Sequence, residues 1–165
     1  MKPAHFFSSR QEGVNESTID RGWRFGQGNV FAPQDHPDAE EQHNANKNLL
    51  AILNTKKWPV NDPVLLRSQY GKGVQEVDEE FLNRSNLPKN EAGLIVVAGD
   101  GLFTRLPNQP LLNGSGDAHS IMLESQTAIA ILVGSWRCIG KDIFTNVMDS
   151  FLNNKIQLKD ITLRL

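Results

Sequence analysis

Leu94-Ile95-Val96-Val97-Ala98, set between Gly93 and Gly99, is an unbroken apolar run rich in β-branched residues. A strand open to water on one side alternates apolar with polar residues, so this run predicts a strand covered on both faces or central in its sheet. On its C-terminal side, Lys141 to Asn153 carries Ile143, Phe144, Val147, Met148, Phe151 and Leu152 on one helical stripe. With Asp142 near its start, this segment predicts an amphipathic helix. Ile161, Leu163 and Leu165 then alternate with Thr162 and Arg164, the pattern of a half-buried terminal strand. Ser120 to Trp136 reads as two strands or one bent strand; a helix from Glu124 onward fits the same apolar residues, and Gly134 ends the element in either reading.

Toward the N-terminus, Trp58-Pro59 and Asp62-Pro63 hold the chain out of helix, because a residue before proline is pushed to extended backbone. Val64-Leu65-Leu66 begins a strand, and Tyr70-Gly71-Lys72-Gly73 turns the chain. Val77, Phe81 and Leu82 form one face of a short helix ending near Asn83. Asp35-His36-Pro37-Asp38 opens a helix that runs to Leu53, with Ala45, Leu49, Ile52 and Leu53 as its apolar face. Between Gly99 and Asp117, two prolines and Asn113-Gly114-Ser115-Gly116 predict a long loop with a flexible tip. Residues 1–34 form a polar, glycine-containing arm that carries Phe6, Phe7, Trp23 and Phe25, rings that need a covering surface. The expected fold is α+β: a mainly antiparallel sheet with two or three helices packed on one face, one domain over 35–165, plus the extended N-terminal arm.

Seventeen basic against 19 acidic side chains leave a net charge of −2, too weak a field to draw a polyanion or an acidic membrane. No specific nucleic acid and no membrane are therefore expected as partners. The single cysteine, Cys138, has no internal partner, which points to a reducing, cytoplasmic setting and to a small buried hydrophobe. No apolar run resembles a leader or spans a bilayer.

Candidate chemistry is sparse. Gly99-Asp100-Gly101 follows the strong strand, but position 104 is Thr and two prolines deny the following loop a phosphate-binding helix, so a plain strand-end turn is expected and no cofactor. His36, Glu40 and His43 share a helical face that reads as solvated rather than metal-binding. Asp117, His119 and Glu124 supply an acid, a base and a carboxylate for a small metal-dependent hydrolase or nuclease, without the lysine expected to position the attacking water. Trp23, Trp58 and Trp136 read as packing residues.

With no convincing catalytic or metal set, the element order carries the functional reading. From the helix ending Leu49-Leu50-Ala51-Ile52-Leu53, through 94–98 and 127–133, to the helix 141–153 and the strand 161–165, it resembles small phage tail-terminator and neck subunits. That resemblance implies a non-enzymatic subunit of a ring-like homo-oligomer, located in the virion if phage-derived. Its partners would be copies of itself and other assembly proteins, with Phe6, Phe7, Trp23, Phe25, Asn113, Gly114 and Gly116 as contacts. The metal-dependent hydrolase or nuclease and a protein-binding, immunity-type module stand as alternatives.

Overall fold

A computed structural model of the chain describes residues 62–90, 93–114 and 118–165. The fold below is that of one unit, which among these residues takes in 62–88 and 94–165. The predicted helix over 35–53, with His36, Glu40 and His43, and the arm with Phe6, Phe7, Trp23 and Phe25 lie outside the described residues.

Two sheets share one core. The first has three parallel strands: β1 (Val64–Arg67) lies between β3 (Ile95–Ala98) and β5 (Leu111–Asn113). The second has five strands in the order β2-β4-β7-β6-β8, formed by β2 (Val74–Glu76), β4 (Gly101–Thr104), β7 (Ile129–Gly134), β6 (His119–Glu124) and β8 (Thr162–Arg164). Its pairings are antiparallel except β2 with β4. Helices are α1 (Glu79–Leu82), α2 (Trp136–Ile139) and α3 (Ile143–Asn153).

The α+β expectation is borne out, as are the strands at 64–66 and 94–98, the helix at 141–153 and the division of 120–136 into two strands. The expected long loop over 99–117 is corrected: it contains β4 and β5. Both are too short to show a period, and all four residues of β4 are buried. Their strand state comes from the strands they pair with, β2 and β7 for β4 and β1 for β5, rather than from local pattern. The C-terminal strand forms, but all three residues of β8 are exposed rather than half-buried.

Register decides which side chains meet. In the antiparallel pairs Gly101↔Leu132 and Phe103↔Ala130, each pair shares one face of the sheet. Onto that face α3 lays Ile143, Val147 and Phe151, spaced by four and wholly buried. Phe103 and Phe151 meet edge to face, with ring centroids 5.0 Å apart. On the same face Gly134 closes β7; a Cβ there would stand 2.7 Å from Ile121 Cδ1 and 2.9 Å from the His119 carbonyl oxygen, so no side chain fits.

α3 ends with Lys155 in the left-handed region (φ 61°), its N–H bonded to the Leu152 carbonyl at 2.8 Å, and the Ile156 N–H bonded to the Phe151 carbonyl at 3.0 Å. This is the cap that glycine makes without a Cβ penalty. Lys155→Gly is therefore expected to raise unfolding free energy by about 0.5–1 kcal/mol, the relief of left-handed strain less the greater freedom of glycine in the unfolded chain. Urea titration of both proteins checks it, and a less stable variant would refute it.

Candidate functional site

β3 delivers the chain to a corner, Gly99-Asp100, before β4 begins. The Asp100 side chain turns inward and is 1% exposed. A buried carboxylate needs donors, and the loop leaving β1 supplies them. Asp100 Oδ1 accepts from Ser68 Oγ at 2.8 Å and from the Gln69 N–H at 2.9 Å, and Oδ2 accepts from the Gly71 N–H at 2.9 Å. Gly71 is needed at this approach, since a Cβ would sit 3.1 Å from Oδ2. The main chain repeats the tie: the N–H groups of Asp100 and Gly101 both donate to the Gly73 carbonyl, at 2.8 and 3.0 Å.

A third element reaches the same carboxylate. Ser135 caps α2, its Oγ accepting the Cys138 N–H at 3.2 Å and lying 3.1 Å from Cys138 Sγ. The Cys138 thiol is wholly buried and donates to Asp100 Oδ1 at 3.6 Å. One carboxylate thus joins the loop after β1, the corner after β3 and the start of α2. The expectation of a core thiol at Cys138 is met.

Burial first, and the Asp100 carboxylate as well, push the Cys138 thiol above its ordinary value, although the Ser135 hydrogen bond works the other way. A native thiol that ionises less readily than the unfolded one contributes stability in full below the unfolded value of about 8.5. As pH rises past it, the unfolded chain releases the proton first, so stability falls through the alkaline range until the native thiol ionises too. We expect Cys138 to resist alkylation by iodoacetamide in the native protein at pH 8 and to react once urea is added. Reaction at equal rates would overturn this assignment.

Outside this buried junction stands a rim. Tyr70 adopts the left-handed region (φ 52°) and is half exposed. The Arg137 guanidinium carbon lies 5.3 Å from the Tyr70 ring centroid and 5.3 Å from that of Trp136. Trp136 is 78% exposed, which corrects its reading as a packing residue: at the first position of α2 it projects away from the core. Lys141 Nζ donates to the Tyr70 carbonyl at 2.7 Å and Asn146 Nδ2 to the Lys72 carbonyl at 2.7 Å, tying this loop to the residues that open α3.

The residues singled out from sequence are placed differently. His119 opens β6, exposed and paired with Gly134, whereas Glu124 closes the same strand and takes Arg164 in an ion pair of 2.7 Å. Five steps of extended chain put them about 17 Å apart on opposite faces, so the structure does not bring them together. Asp117 and Gly116 lie outside the described residues. Asn113 ends β5 and donates from Nδ2 to Ser120 Oγ at 2.9 Å, with Gly114 following. Among the described residues, no three or more His, Cys, Asp or Glu side chains are grouped to hold a metal ion.

No protein-family model matches the chain, and no curated protein is similar to it in sequence. Solved structures are similar. The hypothetical protein YfiH of Bacillus licheniformis superposes with a TM-score of 0.66 at 16% identity, covering 81% of this chain and 49% of that one. YlmD of Geobacillus stearothermophilus gives 0.66 at 17% identity, over 81% of this chain and 49% of the other. The Neisseria meningitidis protein NMB0706, of DUF152, gives 0.58 at 14% identity, over 82% and 48%. The fold is that of the YfiH-type proteins. This chain spans about half the length of each of them.

That likeness overturns the resemblance to phage tail-terminator and neck subunits, and with it the reading as a structural subunit of a virion ring. Element order misled because it does not specify which strands pair. The parallel order β3-β1-β5 follows from long-range register that no local pattern encodes. No helix among the described residues is long and apolar enough to cross a membrane.

The residues of the junction and rim were mostly passed over in the sequence. A signal was present: an acidic residue between glycines directly after the unbroken apolar run 94–98, and a Tyr-Gly-Lys-Gly turn after another strand. Neither shows that both turns meet at one point.

Proposed function

We propose that this chain is the small-molecule-binding domain of an enzyme, with its site at the rim formed by Tyr70, Trp136 and Arg137 over the Asp100 junction. One observation carries the reading: a buried carboxylate fixes the loops at the carboxyl ends of two adjacent parallel strands, β1 and β3, and so holds exposed aromatic and cationic groups in place. Loops at the carboxyl ends of parallel strands are where ligands collect in sheets of this kind. The likeness to YfiH-type proteins supports a domain of that fold and favours an enzyme-type alternative over a structural subunit. Hydrolysis assisted by a metal at Asp117, His119 and Glu124 draws no support from the positions of His119 and Glu124.

Thermal shift of the full chain against a metabolite collection tests the site. Compounds that raise the wild-type midpoint are expected to lose their effect on Arg137→Gln and Trp136→Phe, whose own midpoints stay near wild type because both side chains are exposed. Compounds that stabilise both variants as well as wild type would place binding elsewhere and sink the proposal. Self-association, expected above from the arm, is a separate proposal that sedimentation of the full chain tests.

A further inference from the structure

We infer that the rim takes a planar anion, a ring system stacked on Trp136 or Tyr70 with its negative group on Arg137. This rests on the site proposed above and narrows it to a ligand class. The ring preference follows from two aromatic faces held at the surface: Trp136 is 78% exposed and Tyr70 49%, beside Ile139 at 47%. Exposed faces of this size so close together mark an interaction surface rather than a solvated one.

The anion preference follows from the cations. Arg137 lies against both rings, and among the described residues no hydrogen bond or ion pair engages its guanidinium. Its edge of N–H donors is thus open to a carboxylate or phosphate, which the planar fork binds in two-point fashion. Lys141 belongs to the same surface, since its Nζ bonds to the Tyr70 carbonyl. Against these two cations stands Asp142, exposed between α2 and α3. Asp100 does not contribute a competing open charge, because it is 1% exposed and its oxygens already accept donors from Ser68, Gln69, Gly71 and Cys138.

The stacking also explains why a guanidinium is suited to this position. Lying on the rings, it is oriented before any ligand arrives, so little side-chain freedom is lost on binding. A lysine there would keep the charge and lose the plane.

The test uses flavin mononucleotide and nicotinate as planar anions, riboflavin and nicotinamide as their uncharged counterparts, and inorganic phosphate as an anion without a large ring. Binding to the full chain is followed by isothermal calorimetry and by the Trp136 part of the emission, taken as the difference between wild type and Trp136→Phe. The expected result is saturable binding of at least one planar anion, roughly tenfold or more weaker for its uncharged counterpart and lost in Arg137→Gln. Arg137→Lys is expected to bind with intermediate strength, and added salt to weaken the wild-type complex.

Equal binding of charged and uncharged partners, lost in Trp136→Phe, would overturn the anion class while leaving the site in place. Binding of planar anions that Arg137→Gln and Trp136→Phe leave unchanged would overturn both the class and the site. Phosphate binding as well as the planar anions would remove the ring requirement. Failure of every probe to bind would also count against the class.

Discussion

Phe151→Ala is expected to lower unfolding free energy by about 3–5 kcal/mol, as truncating a wholly buried phenylalanine does. Phe151 is wholly buried, meets Phe103 edge to face, and is the last of three α3 side chains inserted against β4 and β7. Alanine removes the ring and leaves a hollow that β4 cannot fill: its Gly101 lacks a side chain and its backbone is pinned on both sides by β2 and β7. Urea denaturation followed by circular dichroism measures the effect, and a loss below about 1 kcal/mol would show that α3 is not packed as described.

Asp100→Ala is expected to cost about 3 kcal/mol, and to do so without creating a large cavity. The substitution deprives the Gln69 and Gly71 N–H groups and the Ser68 hydroxyl of their acceptor; these bonds are part-buried, so each lost one costs about 1 kcal/mol, the low end for an unpaired donor. For a chain of this length, the midpoint of thermal unfolding should fall by on the order of 10 °C. The consequence reaches the surface too. Tyr70 is held left-handed by a loop whose flanking residues are bonded to Asp100, and α2 is tied to the same carboxylate through Cys138. Tyr70 and Trp136 should therefore lose their fixed relation, seen as a reduced near-ultraviolet dichroism while the far-ultraviolet signal persists. Asp100→Asn is the milder variant: its amide nitrogen cannot accept from the donor it replaces, so a loss smaller than that of alanine is expected, in the same direction. An unchanged midpoint in both would mean that the junction contributes nothing to stability.

The two variants separate the roles of core and junction. Phe151 is held by area removed from water, Asp100 by directed bonds; the first loss should weaken the whole unit, and the second should in addition loosen the rim. Ligand binding measured in Asp100→Ala below its melting point distinguishes them further, since a site positioned by the junction should weaken even while the unit remains folded.

What the amino-acid order alone determined about this protein is its local grammar. The apolar run 94–98 reads as a buried strand because five consecutive apolar residues have nowhere to go but between two layers. The stripe through Ile143, Val147 and Phe151 reads as a helix facing a core because the spacing matches 3.6 residues per turn. Cys138 reads as a core thiol because a lone cysteine in an apolar stretch behaves as a small hydrophobe. Each is a statement about neighbours in sequence. Tertiary structure alone decided that Gly101–Thr104 and Leu111–Asn113 are strands, since segments of four and three residues take their state from what pairs with them. It likewise decided that β1 and β3 run parallel, which element order does not specify. And only folding brings Ser68, Asp100 and Cys138 together, across separations of 32 and 38 residues. A hydrogen bond to a carboxylate is directional and short, and which donors reach it depends on where two strands end in space, a fact that no single stretch of this chain contains.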